Sequence, residues 1–288
     1  MTPFDRLWRH IEACNNIASP AHLVPFRIGE EQVGWMGAEL ARALSFFPRE
    51  VHFDGRGAAL AGRLRGEGQR TAALERLTQA LAGRGHFRLR DEPFDIRATP
   101  DGPTLARIDR GALPAFGIMS QGVHVNGFVR RADGLHLWVG WRSRDKSVAP
   151  GQMDNVVAGG IPAGLSPLEC LVKEAGEEAS LPEELAARAV PAGRISYVMA
   201  NDEGLRRDVL HLYDLEIPDG VVPRPRDDEV ERFELMPAED ALRLVAETDR
   251  VKFNVNLVIA DFALRHRLLD GIGDARRAQL RAGLDQVG

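Results

Sequence analysis

Cysteine is nearly missing. The 288-residue chain has two, Cys14 and Cys170, far apart, which excludes a disulfide framework and a cysteine-based zinc site and makes the cytosol the simplest compartment. Blocks of like charge are missing too. Lys and Arg number 37 against 42 Asp and Glu, a formal net charge of −5, so the chain carries no electrostatic footprint for nucleic acid or an anionic membrane. No apolar run approaches the roughly 18 residues that a membrane span needs. Residues 2–16 also lack the apolar core of a signal peptide, because Asp5, Arg6, Arg9 and Glu12 interrupt them. Phe4, Leu7, Trp8, Ile11 and Cys14 instead fall at helical spacing, which predicts a docked amphipathic helix. What remains is an ordinary globular composition, 44% hydrophobic and 27% charged, sufficient for one or two domains with a sizeable core.

Up to about residue 110, short strand-like runs alternate with helices, at 23–28, 37–47, 70–81 and 86–98. The turn cluster Thr99-Pro100-Asp101-Gly102-Pro103 follows. The expected division is a small α+β domain at 1–113, a second domain at 114–269 and a helical tail at 270–288. In the second domain, strands at 122–131 and 136–144 are joined by Ala132-Asp133-Gly134, a hairpin signal. A third run at 154–158 leads into Gly159-Gly160-Ile161-Pro162-Ala163-Gly164 and then a helix. Its start is marked by Ser166, Pro167 and Glu169, the elements of a capping box. Further strands are expected at 194–199, 208–217 and 229–236, and helices at 238–246 and 254–269. The fold class is α/β (α+β), a mixed sheet with helices packed on it.

On the helix after the glycine loop, Leu168, Leu171, Val172, Ala175 and Ala179 define the expected buried stripe. Glu174, Glu177 and Glu178 then project together on the other side. The plain reading is a solvated acidic surface. The chemical reading is a site for Mg²⁺ or Mn²⁺, since like charges at this spacing repel and no Lys or Arg follows four residues later to relieve them. Gly159, Gly160 and Gly164 allow close backbone approach just ahead of the helix, and serve equally well as a tight connection.

These residues resemble a Nudix box. Gly159 takes its first position, Glu174 the Glu after the Arg, Glu177 and Glu178 the acidic pair, and Leu181 the final aliphatic. The departures are Leu165 for the first Glu, Lys173 for the Arg and Ser180 for the Gly; Ser180-Leu181-Pro182-Glu183 reads as a second capping box that would end one helix and start the next. Outside the box, Gly122-Val123-His124-Val125-Asn126-Gly127, Trp141-Arg142-Ser143, Gly151-Gln152-Met153-Asp154-Asn155 and Asp228-Glu229-Val230 resemble the Nudix half of fungal thiamine pyrophosphokinase. Pro25-Phe26-Arg27 and Val33-Gly34-Trp35 resemble the extra domain that accompanies it.

The resemblance implies a Nudix-type α/β/α sandwich preceded by the smaller domain, and a Mg²⁺-dependent (or Mn²⁺-dependent) hydrolase. Its small-molecule substrate would carry a diphosphate on an organic group, with thiamine diphosphate-like compounds, oxidised forms included, as candidates. A homodimer is the assembly to consider. Implied metal ligands are Glu174, Glu177, Glu178 and the Ala158 carbonyl. Glu178 is also catalytic, and Glu229 is the candidate general base. Candidates for substrate contact are Arg142, Lys146, Gly159, Gly160, His124, Asn126 and Lys252; Trp35, Trp141 and Tyr197 are candidate ring platforms. Two alternatives stay open: a diphosphate-binding protein without catalysis, for which Leu165 speaks, and an isopentenyl-diphosphate-isomerase-like enzyme, which would need Cys170 to act.

Overall fold

The computed structural model describes residues 2–17, 19–146, 148–226 and 228–285; the end of the expected helical tail lies outside them. The chain opens with α1 (Pro3–Cys14), whose Thr2 and Asp5 close a capping box. Next come β1 (Val24–Ile28), β2 (Glu31–Met36), α2 (Ala38–Leu44), β3 (Val51–Asp54), β4 (Gly57–Leu60) and α3 (Gly66–Ala82). The first domain is completed by β5 (Pro93–Ile96), β6 (Ala106–Asp109) and α4 (Leu113–Phe116). Its mixed sheet runs β2-β1-β4-β3 and buries Phe26, Ile28, Met36, Leu74, Leu77 and Phe116 in a core of its own.

The second unit contains β7 (Met119–Arg131), β8 (Gly134–Arg142), β9 (Met153–Asn155), β10 (Val157–Gly160), α5 (Pro167–Ala179) and α6 (Glu183–Ala186). It continues through β11 (Val190–Asn201), β12 (Gly204–Glu216), β13 (Val230–Pro237), α7 (Ala238–Glu247), α8 (Val255–Arg265) and α9 (Asp274–Gly283). The sheet order is β11-β12-β7-β8-β13, with β10 beside β7 and β9 beside β8. The β7–β12 ladder is parallel, and the other ladders of this sheet among the described residues are antiparallel.

The two faces follow from strand alternation. Val123 and Val125 of β7 join Leu171, Ala175 and Ala179 of α5 in one core. Leu137, Val139 and Trp141 of β8 face the other, under α7 and α8. That gives the α/β/α sandwich with a mixed sheet, preceded by an α+β domain. Where the chain's first helix goes was not visible in its pattern. Phe4, Leu7, Ile11 and Cys14 of α1 enter the α7/α8 core, together with Leu280 and Leu284 at the end of α9. Both chain ends thus close the larger core, and Gly283 is bare because Trp8 and Ile11 leave no room for a Cβ.

Candidate active site

The capping box at the start of α5 forms as expected: Ser166 Oγ accepts from the Glu169 N–H, and the Glu169 carboxylate accepts from the Ser166 N–H. The buried stripe is rotated from the expected one. Leu168 is exposed, Val172 is half-buried, and Cys170 and Glu178 lie on the inner side with Leu171, Ala175 and Ala179. The physical reason is polar. Edge strand β10 runs beside the helix, and its Ala158 N–H donates to Glu178 Oε2 at 3.1 Å, which gives a buried carboxylate a partner. A strand residue's N–H and C=O face the same edge, so the Ala158 carbonyl opens on that side too.

Glu174 lies across Gly159. A Cβ at Gly159 would stand 2.7 Å from both Cγ and Cδ of Glu174, so glycine there is a packing requirement. Burial pushes the Glu178 carboxyl up to about 8; the Ala158 N–H opposes this, and Asp154, Glu174 and Glu229 add repulsion. Glu174 is also raised, by burial first, against Lys173. Glu229, distant in sequence, lies close enough to the two helix carboxylates to repel both.

The helix is not without cationic relief. Lys173 Nζ sits 2.6 Å from Glu177 and 3.2 Å from Glu174, because a lysine four residues before a glutamate can also reach it, though that order is the weaker of the two. Glu177 stays half-exposed at the outer end of the trio. The chain has only three lysines, and all three end on carboxylates of this region. Lys146 meets Glu229 at 2.5 Å and Lys252 meets Asp154 at 2.9 Å.

Several expected contacts are placed otherwise. Arg142 is no free phosphate clamp: its Nη1 donates to Asp154 at 2.8 Å, and its Nε and Nη2 donate to the Val148 carbonyl at 3.1 and 2.9 Å. Lys252, its side chain 13% exposed, is held by the same Asp154. His124 and Asn126 share a face of β7, but beneath α8 and not on an open cleft. The His124 Nδ1–H donates to Asn155 Oδ1 (2.8 Å), Asn155 donates to Asn126 (3.1 Å), and Asn126 to Asp214 (3.1 Å). Burial, then Lys252, lowers the imidazole to about 4, so it is neutral. Tyr197 is fully buried on Asp208. Trp35 lies under Arg207, and Trp141 lies between Arg232 and Arg250, so none of the three rings is an open platform. Gly160 is covered from the first domain: a Cβ there would stand 2.7 Å from Phe94 and 3.7 Å from the Arg110 guanidinium carbon. Ala163 also donates to the Pro93 carbonyl at 2.8 Å. Asp154 was missed as a site residue, although it stands in the family-like segment Gly151-Gln152-Met153-Asp154-Asn155.

Two sequence models divide the chain, a domain of unknown function (DUF4743) matching residues 6–120 and a NUDIX domain matching residues 120–256. Nudix hydrolase 24, chloroplastic, of Arabidopsis thaliana is 36% identical over 263 residues, 90% of this chain and 72% of its own length. The chain belongs to the Nudix hydrolase family. Nudix hydrolase 20, chloroplastic, of the same plant is 35% identical over 267 residues, covering 89% of this chain and 71% of that protein. Among solved structures, DR0079 of Deinococcus radiodurans aligns at a TM-score of 0.44 and 20% identity over 58% of this chain and 97% of that one.

Within the Nudix box, Ser180 departs from the expected reading. It takes a left-handed conformation (φ 52) at the end of α5, where the family pattern has glycine, and the next helix starts on Pro182 with no side-chain cap. Leu165 packs, half-buried, against the α5 core. The Cys170 thiol donates to the Gly160 carbonyl at 3.3 Å and is pushed up to about 12 by burial, then Glu174, so it offers no thiolate for isomerase chemistry. The donors around the glycine loop suit a hard divalent cation. Glu174, Glu178, Glu229 and the Ala158 carbonyl are all oxygen, and Glu178, the more strongly raised of the two helix carboxyls, has only the Ala158 N–H to lower it, whereas Glu174 has Lys173. Among the described residues no three potential ligands already stand in a ready shell, and Lys146 and Lys173 pair with Glu229, Glu174 and Glu177.

Proposed function

We propose that this chain is a Mg²⁺- or Mn²⁺-dependent diphosphatase acting on a diphosphate joined to an organic group, with thiamine diphosphate-like compounds and their oxidised forms as first candidates. The observation that carries the reading is Glu174 lying against Gly159 and Glu178 on the neighbouring Ala158 amide, with Glu229 near enough to repel both and Glu178 held at about 8. The substrate class rests on the segments that resemble the Nudix half of fungal thiamine pyrophosphokinase.

Glu174, Glu178 and the Ala158 carbonyl would hold the cation, with Glu177 reaching it directly or through water once Lys173 lets go. Bound there, the cation supplies charge neutralisation for the diphosphate and a more acidic water. Glu229, 51% exposed and resting on Lys146, is placed to accept that water's proton, because the helix acids give their basicity to the cation. Lys146 is the ammonium available to a phosphate oxygen when it leaves Glu229. Gly160 shares the helix-side edge of β10 with Ala158, its carbonyl accepting from the Cys170 thiol, whereas Gly159 turns its amide to β7. The hairpin of β5 and β6, seated on Gly160 and Ala163, is where the first domain would contribute to substrate choice.

Both cysteines are free and buried, which fits a reducing compartment: the cytosol on the sequence reading, or a plastid as in the names of the plant relatives. The test is a panel of thiamine diphosphate, its oxidised analogues, ADP-ribose, nucleoside diphosphate sugars, dinucleotides and NTPs, with Mg²⁺ or EDTA. Monophosphate release from no member would leave binding without catalysis.

A further inference from the structure

One buried carboxylate near enough to repel Glu178 belongs to none of the box residues. Asp154, on β9, is 5% exposed and carries two cations. Its Oδ2 accepts from Arg142 Nη1 at 2.8 Å and from Lys252 Nζ at 2.9 Å, and its Oδ1 accepts from the Asn155 N–H at 2.9 Å. Arg142, aimed by that contact, turns the rest of its fork onto the loop that follows it, donating to the carbonyls of Val148 and Ala149. Ala149 stands at φ 51, a left-handed conformation that is strained for a non-glycine residue and needs to be held. The base of the loop is tied by Ser143 N to the Glu229 carbonyl at 2.8 Å, and its Lys146 meets the Glu229 carboxylate.

We infer that Asp154 is a positioning residue: through Arg142 it fixes Val148 and Ala149 after β8, and through Lys146, which precedes them, it fixes Glu229. The connection is geometric, from one carboxylate to a guanidinium, to two loop carbonyls, to an ammonium, to the candidate base. A lysine at the last step suits a contact that must open, since an ammonium on a flexible stem leaves one oxygen for another more readily than a bidentate fork does. The kinetic part of this inference rests on the hydrolase reading above; the structural part does not.

The experiment uses the full chain labelled with ¹³Cε-lysine, which gives three side-chain signals because the chain has three lysines. Asp154→Asn moves the Lys252 signal by direct contact under any account. The inference requires that the Lys146 signal move as well, with that of Lys173 in place. Arg142→Gln, which leaves Lys252 on Asp154 but removes the cation that shares its Oδ2, also moves Lys146, with Lys173 in place, and serves if Asp154→Asn does not fold. A Lys146 signal unchanged in the folded variants overturns the inference whatever the protein hydrolyses. With a substrate in hand, Asp154→Asn lowers kcat about 10- to 100-fold in the parent and less than about threefold in a Glu229→Gln background, the non-additivity of groups acting as one unit. Equal losses in both backgrounds overturn it.

Discussion

Replacing Gly159 with alanine puts one methyl group where Glu174 lies. The new carbon would be 2.7 Å from Cγ and Cδ and 3.0 Å from Oε2 of Glu174, against an ordinary carbon contact of about 3.5–4.0 Å. The carboxylate must retreat by about 1 Å. It sits at the end of a rotatable side chain, so the fold survives: an off-rotamer Glu174 costs about 0.5–1.5 kcal/mol, a melting shift of a few degrees in a chain of this size. Function is less tolerant, since a 1 Å displacement in a reacting set costs on the order of 10²-fold. We expect Gly159→Ala to melt within about 6 °C of the parent, to bind Mn²⁺ at least tenfold more weakly by EPR titration, and to lose about two orders of magnitude in kcat. A variant that binds Mn²⁺ and turns over within twofold of the parent would refute the placement of Glu174 as a ligand. One that fails to fold would refute the premise that this side chain can yield.

Glu229→Gln should lower kcat by about two orders of magnitude with KM nearly unchanged, while Glu231→Gln stays within about twofold, because the bulge between Val230 and Arg232 turns Glu231 onto Arg144; the reverse outcome moves the base to Glu231. The Glu178 carboxyl lies above its usual value, so its protonated form stabilises the cation-free fold fully below about pH 4.5, and that contribution is lost as pH rises through about 8. In EDTA, Glu178→Gln should therefore melt above the parent at pH 9 and close to it at pH 5, and an equal difference at both pH values contradicts the burial. Ser180→Gly should raise stability by about 1 kcal/mol, read by chemical denaturation, since it relieves a left-handed serine; no gain would mean that the turn is not strained.

How far the sequence could be read depended on whether a residue's partner was local. The capping box of Ser166 and Glu169, the Asp133-Gly134 hairpin and the alternation of β8 are settled within a few residues, and the structure has them. The run 154–158 shows where local pattern stops: it becomes two short strands pairing with different neighbours, and β2, β3 and β4 of the first domain carried too little pattern to stand out. The site divides in the same way. Gly159, Glu174 and Glu178 lie on one loop and helix, so spacing finds them. The burial of Glu178 depends on β10 arriving beside the helix, and the engagement of Arg142 and Lys252 depends on Asp154 lying between them in space. Charge pairing across the fold, unlike amphipathic spacing, leaves no local trace.

The central claim is that carboxylates gathered at the glycine loop drive cation-dependent cleavage of a diphosphate. The most direct measurement is monophosphate release from thiamine diphosphate and the wider diphosphate panel by the parent, Glu174→Gln and Glu178→Gln proteins, each with Mg²⁺ and with EDTA. The account predicts release by the parent in Mg²⁺, none in EDTA, and at least about a 10²-fold loss in both variants. Turnover that persists in EDTA, or in Glu178→Gln at the parent's rate, would contradict it.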